Sequence, residues 1–148
     1  MATLVEYKKA RLKYSILESF EAGLELTGSE VKSLRDKRGS LEGARVVARA
    51  GEAFLAGATI PPYQPKNTGE RYDPERSRRL LLTKREIAKL AAAEDRKGLT
   101  IVPLEVYSKS RLVKIRIAIV RGKGKSDKRE TLKKREAMRE AERVLKRG

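Results

Sequence analysis

The sequence predicts a mainly β fold: a small, partly open antiparallel β-barrel with a few helices and a basic C-terminal tail. Three observations lead there. About six or seven short segments carry the apolar/polar alternation or compact apolar runs of strands. Two helical stretches interrupt them, too few for a parallel sheet with crossover helices. From residue 121 the composition becomes cationic, helix-forming and free of aromatic residues. The chain has 148 residues, enough for one domain with a real core and too few for two. It divides into a body, residues 1–120, and a tail, residues 121–148.

Residues 1–11 read as a short basic arm. Tyr14, Ile16 and Phe20 share a parity that Leu17 breaks, and suggest a strand turning at Ala22-Gly23. Leu24 and Leu26 continue on a second strand into a short helix that Thr27 and Glu30 open. Their spacing is that of a capping box, with the Thr hydroxyl and the Glu carboxylate each accepting from the other's backbone N–H. Val31 and Leu34 give this helix its apolar face, and Gly39 and Gly43 bracket its exit. Residues 44–49 and 52–60 read as a hairpin about Ala50-Gly51.

Residues 61–79 hold four of the five prolines and read as an irregular loop. Leu80, Leu81 and Leu82 form a short buried strand. Thr83 and Glu86 repeat the capping spacing and open a second helix through about Glu94, with Ile87, Leu90 and Ala91 on its apolar face. Two strands follow, 99–107 and 112–120. In the latter Val113, Ile115, Ile117 and Ile119 alternate with Lys114, Arg116 and Ala118. Pro103 cannot donate to a ladder and marks an edge or a bulge.

Composition excludes several functions. The net charge is +16, from 36 Lys plus Arg against 20 Asp plus Glu, which suits a polyanionic partner. With no Cys there is no disulfide framework, thiol nucleophile or Cys-based zinc site, and with no His the commonest general base is missing. The carboxylates are mostly interleaved with cations, as on solvated faces, so an enzyme is not expected, nor a cofactor or metal. No apolar run is long enough to span a membrane, and the N-terminus lacks the apolar segment of a signal peptide. A cytoplasmic protein is expected.

Three stretches have the chemistry to hold a polyanion. In the first, residues 24–35, a helix N-terminus meets Lys32, Ser33 and Arg35, which project towards water or a ligand. Capping boxes are also ordinary structural devices, and both readings stand on this stretch alone. In the second, Arg71, Arg76, Arg78 and Arg79 surround Tyr63 and Tyr72. Bases can stack on such rings while arginines hold phosphates, or the rings can pack on the body. The third is the tail, with 12 Lys plus Arg against 5 Asp plus Glu. Good helix formers run from Thr131 to Lys146, but the apolar stripe is narrow. The tail either folds on a partner or is a solvated terminus.

Six collinear blocks carry a resemblance. They are KKAR at 8–11, FEAGLELTGSEVKSLR at 20–35, the turn at 60–63, DPERSRRLLLTKREIAKL at 73–90, KGLTIVPLEVY at 97–107 and GKGKSDKRE at 122–130. In these the chain resembles the small protein B family, which binds transfer-messenger RNA (tmRNA, or SsrA RNA) and rescues stalled ribosomes. The resemblance implies an oligonucleotide-binding (OB-fold-like) barrel that clasps the tRNA-like end of tmRNA. It implies a tail that is disordered when free and helical in the vacant messenger channel of the small ribosomal subunit, near the decoding centre. Alanine-charged tmRNA, with elongation factor Tu, would complete the set of partners.

The RNA-binding residues expected on the body are Lys8, Lys9, Arg11, Glu30, Lys32, Ser33, Arg35, Arg76, Arg78, Arg79, Lys84 and Arg85. In the tail, Asp127, Lys128 and Arg129 match the family's functional motif, and Lys123, Lys125, Lys133, Lys134 and Met138 accompany it towards the ribosome. The chain departs from the family where histidine is common, at Leu12, Thr59, Thr83 and Ser126. Tyr7 replaces a usual Asn, and Lys13 a common Asp. Without the resemblance, a generic basic RNA chaperone or ribosomal protein on an OB-type barrel would also fit charge and strands. A metal-dependent nuclease would need clustered carboxylates.

Overall fold

The structure, a computed structural model, describes residues 2–64, 71–123 and 125–147, without the side chains of 125–128, 130–131 and 144–147. Among the described residues seven strands form one antiparallel sheet: β1 (Ala2–Glu6), β2 (Tyr14–Leu24), β3 (Arg45–Arg49), β4 (Glu52–Ala56), β5 (Arg78–Leu81), β6 (Leu99–Lys109) and β7 (Leu112–Gly122). Four helices accompany them: α1 (Ala10–Lys13), α2 (Gly28–Arg35), α3 (Lys84–Glu94) and α4 (Lys125–Arg147). The strand order is β1-β6-β7-β2-β5-β4-β3. The sheet curls until β3 lies near β6 but does not close, and α3 packs against both. This is the partly open barrel expected from the strand count.

The long ladder β2-β7-β6 is the frame. Ile115, Ile117 and Ile119 of β7 point into the main core with Phe20, Leu55 and Leu90, as the period of two requires. Ala118 and Val120, on the opposite face, are buried too, with Val102. The ladder is bent by bulges at the two places where the sequence pattern stumbled. One lies between Ile16 and Glu18, where Leu17 breaks parity and stands exposed. The other lies between Pro103 and Glu105. Pro103 thus marks a bulge, and it stands beyond the end of the β1 pairing, which stops at Glu105.

Four local readings are corrected. Part of the expected basic arm, residues 2–6, is strand β1, antiparallel to β6, with Val5 in the core. Ala22-Gly23 is no turn, because β2 runs through it and a Cβ at Gly23 would come within 3.2 Å of Leu81 Cβ. The second arm of the expected hairpin ends early, at Ala56, before Gly57. The turn between β3 and β4 has φ of 51° at Ala50 and 75° at Gly51, the left-handed pair of a type I′ hairpin. α4 is longer than the helix formers implied, starting at Lys125 instead of Thr131.

Candidate nucleic-acid interface

α2 begins as its sequence dictates. The Glu30 N–H donates to Thr27 Oγ1 at 3.2 Å, and the Thr27 N–H donates to Glu30 Oε1 at 2.9 Å. The same carboxylate has a second set of partners from the far side of a loop. Arg76 donates through Nε at 3.1 Å and also through Nη2, and Arg78 donates through Nε at 2.8 Å. The Tyr72 hydroxyl lies 3.3 Å from Oε2 and 2.7 Å from the Ile60 carbonyl. Burial alone would raise the Glu30 pKa. The Arg76 guanidinium, the Thr27 amide and Arg78 outweigh it and hold the group at about 2.

In this geometry three of the expected contact residues are enclosed by the body. Glu30, Ser33 and Arg78 are buried, and their polar atoms are engaged within the body. Glu30 is spent on the cap and the two arginines. Ser33 Oγ donates to the Pro61 carbonyl at 2.6 Å. Arg78 donates to the carbonyls of Ala58 and Arg76 at 3.0 Å and of Pro74 at 2.9 Å. The physical reason is one of satisfaction: a buried charge persists only when paired and fully hydrogen-bonded, and this one is.

The exposed cations of α2 lie on its outer side. Lys32 and Arg35 are open to solvent, and Arg35 Nη2 donates to the Arg111 carbonyl at 3.0 Å. Lys32 Nζ and the Arg38 guanidinium stand 5.8 and 5.9 Å from the Tyr63 ring centroid. These are cation–π distances. Arg38 also donates to the Tyr63 carbonyl. Tyr63 and Tyr72 are thus both held by the body, Tyr72 through its hydroxyl and Tyr63 between two cations. Arg38 was missed from sequence because it lies just beyond the helix, and only the folded loop brings Tyr63 to it.

The remaining expected residues spread over the body. Lys8, Lys9 and Arg11 lie exposed on the turn into α1, with Lys9 Nζ 3.6 Å from Glu42. Arg79 is half-exposed between Glu25 at 3.8 Å and Glu52 at 3.5 Å, which largely cancels its charge. Lys84 and Arg85 are exposed in the first turn of α3, whose capping box, Thr83 with Glu86, is also complete.

A second hydroxyl–carboxylate pair, half-buried, went unseen in the sequence. Tyr107, wholly buried, donates to Glu21 Oε2 at 2.5 Å, and Lys109 lies 3.2 Å from Oε1. The Tyr107 and Lys109 bonds hold Glu21 below the usual carboxylate range. Burial and the Glu21 bond push the Tyr107 phenol up to about 12.

The tail touches the body at its root. The Lys123 N–H donates to the Lys13 carbonyl at 2.9 Å, and Lys123 Nζ to that of Arg11 at 2.8 Å. Arg135 Nη2 reaches the Lys8 carbonyl at 3.3 Å. Arg129, Lys133, Lys134 and Met138 are exposed on α4. The side chains of Lys125, Ser126, Asp127 and Lys128 lie outside the described residues. Among the described residues no group of three His, Cys, Asp or Glu is placed to hold a metal ion. Among them, too, no helix is long and apolar enough to cross a membrane.

Comparison with known proteins gives a consistent result. A family model described as SmpB protein matches residues 4–147. The SsrA-binding protein of Gloeothece citriformis is 45% identical over 144 residues, covering 97% of this chain and 93% of the relative. That of Lactiplantibacillus plantarum is 46% identical over 145 residues, covering 97% and 91%. That of Thermosipho africanus is 46% identical over 149 residues, covering 100% and 99%. A solved structure described as "tmRNA-SmpB: a journey to the center of the bacterial ribosome" superposes with a TM-score of 0.69 at 39% identity, covering 88% of this chain and 95% of that one.

Proposed function

The chain belongs to the SmpB protein family, and on that premise we propose that it binds the tRNA-like domain of tmRNA and delivers it to stalled ribosomes for trans-translation. The observation that carries this is the match over nearly the whole chain, body and tail together, to relatives named for binding SsrA RNA. The surface chemistry supports it. Lys8, Arg11, Lys32, Arg35, Lys84 and Arg85 are exposed on the body and form no salt bridge among the described residues. Their charges remain for backbone phosphates to neutralise.

The work divides between residues 1–120, which grip the RNA, and residues 121–148, which enter the messenger channel of the small subunit when no messenger fills it. Lys123, Lys125, Asp127, Lys128, Arg129, Lys133, Lys134 and Met138 carry that second contact. The protein acts in the cytoplasm as a binding protein without a catalytic step, beside alanine-charged tmRNA and elongation factor Tu.

The test is which RNA co-purifies with the tagged protein from cells. One discrete tmRNA is the expected result. A smear of tRNA and ribosomal RNA would overturn the reading in favour of a generic RNA chaperone. In vitro, if the body neutralises about six phosphates, log K against log salt should slope at roughly −4 to −5.

A further inference from the structure

The described residues between Thr59 and β5, 60–64 and 71–77, form two ends, and both are tied to α2 or to the residues just after it. On the outgoing side Ser33 holds the Pro61 carbonyl and Arg38 that of Tyr63. On the return side Glu30 holds Tyr72, Arg76 and Arg78. The neck is closed by the Ile60 N–H, which donates to the Pro74 carbonyl at 2.9 Å. Arg78 lies under this neck. Its fork spans the Ala58, Pro74 and Arg76 carbonyls while Nε stays on Glu30.

The charges in this cluster do not cancel. Two guanidiniums share the one carboxylate they bond, and Glu25, near enough to act on Arg76, offsets the surplus only at a distance. The Arg78 side chain is 0% exposed, so that surplus reaches solvent through Arg76, whose side chain is 35% exposed. Packing by apolar residues would hold a neck at lower desolvation cost. A buried ionic cluster that opens to water through one guanidinium is suited instead to an external anion. A phosphate oxygen is the natural partner for the N–H groups Arg76 has left.

The geometry points to Arg78 as a positioning residue for RNA. Through Glu30 and three loop carbonyls it sets where Arg76 and the loop ends stand relative to Lys32 and Arg35, so that a backbone phosphate meets the cluster's surplus charge. Arg78 itself touches no RNA. The inference rests on the tmRNA-binding reading above and adds which buried group fixes the spacing of that surface.

Arg78→Lys tests it in the full-length protein, because Lys keeps the charge and loses the planar fork. Binding of the tRNA-like domain of tmRNA is measured at a temperature where circular dichroism shows the variant folded. The expected dissociation constant rises about tenfold. The salt slope loses about 0.9, the share of one phosphate. Hydrogen exchange should quicken at the Ile60 and Arg76 amides and stay unchanged in β6 and β7. A folded variant with wild-type affinity and slope would overturn the inference, whatever its exchange.

Should Arg78→Lys fail to fold, Tyr72→Phe and Ser33→Ala each loosen one end of the loop. Each should weaken binding by about two- to threefold. Wild-type affinity in both, with exchange at Ile60 quickened, would equally overturn it. Failure of the tmRNA reading shows separately, in the wild type alone, as equal affinity for bulk tRNA. The Arg78 comparison is then made on that RNA.

Discussion

Glu94 of α3 accepts, through Oε1 at 2.7 Å, from the backbone N–H of Ala48 on the edge strand β3. Arg49 and Glu52 flank a two-residue turn and bond to each other across the hairpin, so Ala48 faces the open side. Its carbonyl there accepts from Arg49 Nη1 at 2.6 Å, and Arg49 pairs with Glu94 at 3.0 Å. Two side chains thus close the outward polar groups of Ala48 on an edge that would otherwise template another strand. Glu94→Ala should cost about 1–2 kcal/mol for the unpaired amide. It should also sediment as larger species at high concentration, whereas Glu94→Gln, which keeps an acceptor, should not. Wild-type sedimentation of Glu94→Ala would show that the edge is guarded by other means.

Glu30→Gln separates three roles. A capping residue alone would tolerate Gln, and an RNA contact would lose affinity without losing stability. The buried pairing with Arg76 and Arg78 gives a different expectation. Removing the only carboxylate between them should cost about 3 kcal/mol and lower the melting temperature by roughly 10 °C. The acid limb checks the same point. The folded-state pKa of about 2 lies below the ordinary carboxylate value of 4.5, so its stabilisation is complete above that value and is lost as pH falls towards 2. The stability gap between wild type and Glu30→Gln should therefore shrink across that window. A gap independent of pH would mean that the carboxylate charge does not contribute.

Tyr107 should titrate late. Its phenol is held up at about 12 by burial and by the bond to Glu21, against an ordinary 10. A raised folded-state pKa stabilises below pH 10 and is lost as pH climbs from 10 towards 12. Absorbance near the phenolate band should show a late-titrating component that Tyr107→Phe removes. If that variant leaves the late component in place, Tyr72, whose pKa is also raised by burial, is its source.

What was legible was local. Both capping boxes follow from a spacing of three, and the alternation of β7 follows from a period of two, so Thr27, Thr83 and Ile117 were placed correctly. Pairings that span the chain were not legible. Arg76 and Arg78 stand 46 and 48 residues from Glu30, and sequence alone gave no reason to pair them with it. Gly23 shows a second kind of limit. Glycine serves turns and close approaches alike, and only the neighbouring Leu81 decides between them. Thr3 and Val5 were hidden by the lysines that follow, although their partners on β6 make them strand.

The tail gives the sharpest separation of grip from docking. Of α4, the described side chains from Leu132 to Arg143 are exposed apart from a half-buried Arg135, so its helix gains little from packing. A helix with so little tertiary support is marginal in water and is sensitive to a single break. Ala141→Pro removes a backbone donor, clashes with the preceding turn and leaves net charge unchanged, at ~3 kcal/mol to the helix. Among the described residues the barrel core contains none from α4, so its melting temperature should hold. Affinity for tmRNA should hold as well, because Lys8, Arg11, Lys32 and Arg35 are untouched. Tagging of stalled nascent chains should fall, as it should on removing residues from Gly122 onwards or on replacing Asp127, Lys128 and Arg129 together with Ala. If Ala141→Pro tags at the wild-type rate while the triple replacement does not, the tail works as a charged tether anchored at 127–129, and helix formation beyond it is dispensable.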